Sequence, residues 1–315
     1  MIRIVVCAAA FFAFVGLAPA FAQDGPPELQ SDIVVTGVRP EQIQSFVEQV
    51  STAPPSVDQL ARWDDDICIS ATGLGAEQSQ TVIDRVSLRA QAVGLRPGRA
   101  NCRPNVFVFF ASNGSEFARG LLEQRRSLFA YYHEENIATL GQEALTAFIE
   151  TPRPVRWWHV VQTRGADGDR LGSDSARPEA PPPPDTMTAV PDGFTGVQSV
   201  RSTGSRVRSV ERQDFNRVLI IVDASLAEGY PLDSIGDYIA MVTLAQIDPQ
   251  AQVRAFPTIL NLFNEDLENT SFEMTNWDTA YLNGLYRSER NAASMTQQVS
   301  DISRRMSSSD SGPNR

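Results

Sequence analysis

The stretch that decides the fold runs from Arg62 to Ser112, "RWDDDICISATGLGAEQSQTVIDRVSLRAQAVGLRPGRANCRPNVFVFFAS". Its two ends, "DICISATG" and "NVFVFFAS", are short β-rich runs. Between them "AEQSQTVIDRVSLRAQAVG" places Val82, Val86, Ala90 and Val93 at steps of three and four, a helix with one apolar face. A strand–helix–strand unit makes its two strands parallel. Cys68 opens the first strand and Cys102 lies just before the second, so both fall at one end of the sheet and a disulfide between them is predicted. A catalytic or metal-binding thiol pair is disfavoured, because the two are far apart in sequence and no histidine accompanies them. Gly73 and Gly75 lack the third glycine and the lysine of a phosphate loop, so they are assigned to the strand-to-helix turn.

Upstream, Met1–Ala22 reads as a secretory signal: Arg3, then a short apolar run, then the A-x-A site Ala20-Phe21-Ala22. Cys7 lies inside that run, and no cysteine follows the cleavage site directly. Removing 22 of the 315 residues leaves 293, enough for one large domain, and losing Arg3 takes the net charge from −11 to −12. So acidic a chain repels phosphate backbones, which disfavours nucleic acid as a partner. All 27 basic residues are arginine, a composition that GC-rich codons explain. Two cysteines in the processed chain suit an oxidising compartment, periplasmic or secreted. No later stretch is long and apolar enough to span a bilayer.

Residues 23–56 form an N-terminal strand-and-helix segment. "SDIVVTGVRP" (Ser31–Pro40) resembles the TonB-box entry segment of outer-membrane receptors, but the helical C-terminal third is not a barrel. It is read as a short strand, Val34–Gly37, with Pro40 starting a helix through Ile43, Phe46, Val47 and Val50. Residues 57–306 are expected to be a single α/β (α+β) domain with a mixed sheet and a helical C-terminal third. A Pro-rich insertion lies at about 165–196, and 307–315 is a disordered tail. "SEFARGLLEQRRSLFAYY", opening on Ser115, and "ENIATLGQEALTAFIET" read as helices and "PVRWWHVVQTR" as a strand. "SRVRSVER" and "RVLIIVDAS" read as a hairpin, and "PLDSIGDYIAMVTLAQID", "NWDTAYLNGLYRSER" and "AASMTQQVSDISRRM" as helices.

Chemistry is sparse. The two histidines, His133 and His159, lie on different elements, so a zinc site is not expected. Asp167, Asp169 and Asp174 lack the closing glutamate of a calcium loop. Asp64–Asp66 reads as a solvated strand entry, and no nucleophile elbow is present. Arg156, Trp157, Trp158 and His159 offer a possible ligand surface by stacking and cation–π contact, one tryptophan in the core and the other exposed. Asp278 and Tyr286 complete the candidates, and Asp278 is also placed to cap the helix that follows it.

"LAQID", "TILNLFNED" and "MTNWDTAYLNGLYRSERNAASM" resemble successive motifs of an uncharacterised family of bacterial secreted proteins with a predicted zincin-like metalloprotease fold. Thr275, Asp278, Leu282, Leu285, Tyr286 and Met295 match one motif, Phe263 and Asn264 another (with Glu265 in place of Asp), and Gln246 the glutamine of a third. The N-terminal strand–helix–strand is similar more loosely. Val242 and Thr243 stand where that family has carboxylates, on a helix read as free of His, Cys or acid in its middle. The resemblance therefore implies a zincin-like scaffold without metal or other cofactor and without peptidase chemistry. The function expected is an exported, non-catalytic envelope protein, a binding or interaction module; the alternative is a hydrolase using carboxylates near Asp278.

Overall fold

A computed structural model describes residues 39–99, 101–132, 135–171, 207–264, 266–267 and 270–310. Residues 1–22, read above as a signal, the IVVTG run, His133, Gly172, Asp174, Glu265 and most of the Pro-rich stretch lie outside these residues.

The strand–helix–strand unit is present as read: β1 (Ile69–Thr72), α2 (Ala76–Ala92) and β2 (Val106–Ala111), with β1 and β2 parallel in register Ile69↔Val106 to Thr72↔Phe109. Ahead of it lies α1 (Pro40–Val50), which starts on Pro40 and buries Ile43, Phe46, Val47 and Val50. The sheet continues with β3 (Ile137–Ala138), β4 (Val155–Gly165) and β5 (Glu211–Asp223), in the spatial order β1-β2-β5-β4-β3. β5 runs parallel to β2, whereas β4 is antiparallel to both β5 and β3. The sheet is therefore mixed, and the α/β class holds.

Because strand side chains alternate, β4 and β5 feed two cores. Val218, Ile220 and Val222 join Trp157 in one core, with α1, α2, α5 (Leu232–Leu244), α6 (Asn276–Arg287) and α7 (Met295–Asp310). Leu219 and Ile221 join Trp158 in the other, with α3 (Gly114–Gln124) and α4 (Gly141–Glu150). Helices cover both faces, which is why the Val218–Val222 half of β5 is apolar on both sides.

Cys68 and Cys102 are bonded, with Cα atoms 5.9 Å apart. The bridge ties the entry of edge strand β1 to the loop before β2, where Val106 N also donates to Cys68 O at 3.0 Å. Gly73 has φ +91°, and a Cβ there would lie 2.0 Å from Phe110 O, so the turn tolerates glycine alone.

Several readings need correction. The "SEFARGLLEQRRSLFAYY" helix begins after Asn113, whose side chain accepts from Glu116 N, and it stops at Gln124; Arg126–Phe129 is a separate 3₁₀ turn. Ile137 and Ala138 form an edge strand, because their backbone pairs with Val161 and Gln162, a long-range contact that local helical spacing cannot register. The "SRVRSVER"/"RVLIIVDAS" hairpin is not formed: β5 begins only at Glu211, near the end of the first run, and continues to Asp223 as one 13-residue strand whose antiparallel partner is β4. Of the presumed tail, residues 307–310 continue α7. No helix among the described residues is long and apolar enough to cross a membrane.

Candidate functional site

The candidate residues do not converge. Arg156 is buried and donates to Phe148 O (2.9 Å), Ile149 O (3.0 Å) and Ser115 Oγ (3.0 Å), tying β4 to α3 and α4. Both tryptophans are buried, contrary to the expectation that one is exposed, because helices cover the sheet on both sides. Trp157 Nε1 donates to Ile247 O at 2.9 Å and Trp158 Nε1 to Phe129 O at 3.1 Å, so each indole buries its ring and satisfies its one donor.

His159 is 2% exposed and lies against Phe215. Its Nε2 donates to Val242 O at 2.7 Å. Desolvation by burial lowers its pKa to about 4, the bond to Val242 O opposing only in part, so the ring is neutral at ordinary pH. Nδ1 has no partner among the described residues.

Asp278 is 0% exposed and sits at the third position of α6, not at its cap. Thr275 is the cap, and the two residues exchange bonds in a capping box: Asp278 N donates to Thr275 Oγ1, and Thr275 N to Asp278 Oδ2 at 2.8 Å. The carboxylate also accepts from Thr258 Oγ1 (2.5 Å), Ile259 N (2.8 Å) and Thr275 Oγ1 (2.7 Å). Burial raises its pKa against those bonds. Tyr286 donates its hydroxyl to Leu244 O at 2.8 Å. Both residues hold α6 against its neighbours.

The other sequence features also resolve into contacts. Asp64 pairs with Arg212 and Arg290, Asp65 with Arg164 (2.9 Å) and Asp66 with Arg96 (2.9 Å). The acidic run is thus an ion-pair ladder that reaches β4 through Arg164 and β5 through Arg212, and all three carboxylates keep the exposed character expected of the run. Behind it lies Arg62, whose pKa burial and the nearby Arg290 lower to about 10. Asp167 Oδ1 accepts from Asp169 N, closing a turn. Among the described residues no three His, Cys, Asp or Glu side chains gather as a metal site.

α5 carries what sequence reading missed. Ser234–Leu244 is buried all round, Val242 and Thr243 included, but Asp237 in its middle is an acid and is 0% exposed. Arg85 and Arg89 of α2 grip it with Nε and Nη2 at 2.8–3.0 Å, and Met274 N adds a bond of 2.9 Å. Burial pushes the Asp237 pKa up, but the bonds from Arg89, Arg85 and Met274 outweigh it and leave it below the usual carboxylate value. The i, i+4 spacing of the two arginines was the available signal, since it puts both on one side of α2.

The open space lies elsewhere. At the sheet end where β5 finishes, beside Val155↔Val222, there is a cleft of about 340 Å³. Trp157, Tyr238 and Phe263 supply aromatic walls, Arg153 and Arg254 supply charge, and Asn261 supplies an amide. Tyr238 packs edge-on to Trp157 (6.0 Å) and Phe263 (5.2 Å), and its hydroxyl has no hydrogen-bond partner among the described residues. A second hollow of about 290 Å³ shares Arg153, Trp157, Asp248 and Pro249 and reaches Arg156 and Trp158 under α4. Arg153 donates to Pro249 O and so braces the wall between them. Of the six residues read as a ligand surface, Arg156, Trp157 and Trp158 border these hollows, and His159, Asp278 and Tyr286 do not. The C-terminal end of parallel strands is where open α/β sheets place their ligands. Against this geometry, no family model, curated protein or solved structure was found to match the chain.

Proposed function

We propose that the protein is an exported, non-catalytic binding or interaction module on a zincin-like scaffold. The observation that carries this reading is the separation of chemistry from access. His159, Asp278 and Tyr286 are committed to hydrogen bonds inside the fold, and Val242 and Thr243, where the resembling family has carboxylates, are buried against the sheet. The accessible cleft presents aromatic rings and guanidinium groups instead. Such a lining suits a ligand with a planar apolar body and a negative group: the rings stack on the body and the arginines pair with the charge.

The test is calorimetric titration of the purified protein with a panel of aromatic carboxylates and of short peptides ending in an aromatic residue. Binding that weakens about tenfold in Tyr238→Phe/Arg254→Gln, with a melting temperature within a few degrees of wild type, is expected, because Arg254 makes only an exposed ion pair with Asp266. Chelator-sensitive cleavage of a peptide library, or zinc released on denaturation, overturns the reading.

A further inference from the structure

A third concave site lies away from the aromatic cleft, where the end of α6, the start of α7 and the approach to β5 meet. It is a polar pocket of about 430 Å³, and its lining includes five arginines: Arg208, Arg287, Arg290, Arg304 and Arg305. Among the described residues its acidic lining is Glu289 and Asp301. Five positive and two negative charges make it +3, inside a chain whose net charge is −11.

Internal pairing reduces that surplus without cancelling it. Asp301 is shared by Arg304 (3.1 Å) and Arg305 (3.2 Å), and Glu289 holds Arg208 at 2.9 Å. Arg290 turns out of the pocket to Asp64. Arg287, exposed in the last turn of α6, has no ion-pair or hydrogen-bond partner among the described residues. Guanidinium groups stay charged at any physiological pH, so their mutual repulsion cannot be relieved by losing protons. A bound anion relieves it, and a concave site concentrates the field on that anion.

We infer that this pocket binds a phosphate group. Guanidinium forks make paired bonds to phosphate oxygens, and a tetrahedral dianion can be met from several directions at once. Arg287, Arg304 and Arg208 stand on three different segments around the hollow, an arrangement suited to a tetrahedral rather than a flat anion. Gln297 adds a donor: its Oε1 accepts from Ala293 N at 3.0 Å, which leaves its amide N–H groups to the pocket. The phosphate can be free, carried on a small molecule, or part of a lipid headgroup; the chemistry of recognition is the same.

The probes are inorganic phosphate and phosphatidylcholine vesicles with and without phosphatidylglycerol, each against wild type and Arg287→Gln/Arg304→Gln. Both positions are exposed, so the variant should melt within a few degrees of wild type. Saturable phosphate binding by calorimetry, absent with sodium chloride at matched ionic strength and weakened about tenfold in the variant, is expected. Cosedimentation with the phosphatidylglycerol vesicles that the variant loses supports the site and assigns the phosphate to a lipid; phosphate binding without cosedimentation supports it and assigns a soluble phosphate. If neither probe binds, or both bind wild type and variant equally, the inference is wrong.

Discussion

Burial leaves His159 neutral over a pH range in which the unfolded chain takes up a proton. The unfolded ring titrates near 6.5 and the folded one near 4, so between those values the unfolded state holds more protons. Stability from this residue is complete above pH 6.5 and declines as pH falls toward 4, by about 3 kcal/mol in all. His159→Phe keeps a ring against Phe215 and removes the titration. It should cost about 1–3 kcal/mol at pH 7.5 by leaving Val242 O unpaired, yet lose less stability than wild type between pH 6.5 and 4.5. Urea melts of both proteins across that range check this, and parallel pH profiles would remove His159 as the cause. The identity of this residue was plain in the sequence, but its role was not. An isolated histidine on an apolar strand reads equally well as a cleft lining or a sheet cover until the opposite layer is known, and that layer is α5.

Asp237 makes the same point for elements. It joins α5 to α2 through Arg85 and Arg89 and to the loop before α6 through Met274 N. Replacing it by Asn leaves two arginines, each about one-fifth exposed, facing a neutral amide. The expected cost is about 3 kcal/mol, at the lower end for breaking a buried pair because water partly screens the arginines. Asp237 is held below its ordinary pKa, so this contribution is present above the unfolded carboxylate range and is lost as pH falls through the folded value. A chemical melt of Asp237→Asn at pH 7 and pH 3 reads both effects: a large deficit at pH 7 that narrows in acid. An equal deficit at both pH values would contradict the clamp. For the β1 edge, Cys68→Ser/Cys102→Ser opens a covalent loop with a sequence separation of 34 and should cost about 3–4 kcal/mol. Wild type melted with and without reductant should show the same drop, and an unchanged midpoint would mean that the bridge adds nothing.

At the scale of the molecule, the local part of the fold was legible. The strand–helix–strand unit, the helices α1, α2, α5, α6 and α7, the long strand β4 and the cysteine pair all follow from spacings of two and three-to-four residues and from position within one supersecondary unit. Those signals lie within a few residues of one another, so the chain carries them before it folds. Other features depend on residues far apart: β3 as an edge strand, the whole length of β5, and the two-sided cover that buries both Trp157 and Trp158. The same holds for the sites. The arginines of the phosphate pocket are spread from Arg208 to Arg305, and Asp237 lies 152 residues from Arg85. By itself the sequence determined which segments are helix or strand, which faces are apolar and which cysteines can meet, because these are set by local period and topology. Only the tertiary structure decided which charges are neutralised, which polar groups are sealed and which remain open to a ligand, because burial and ion pairing belong to pairs of elements, not to either one alone.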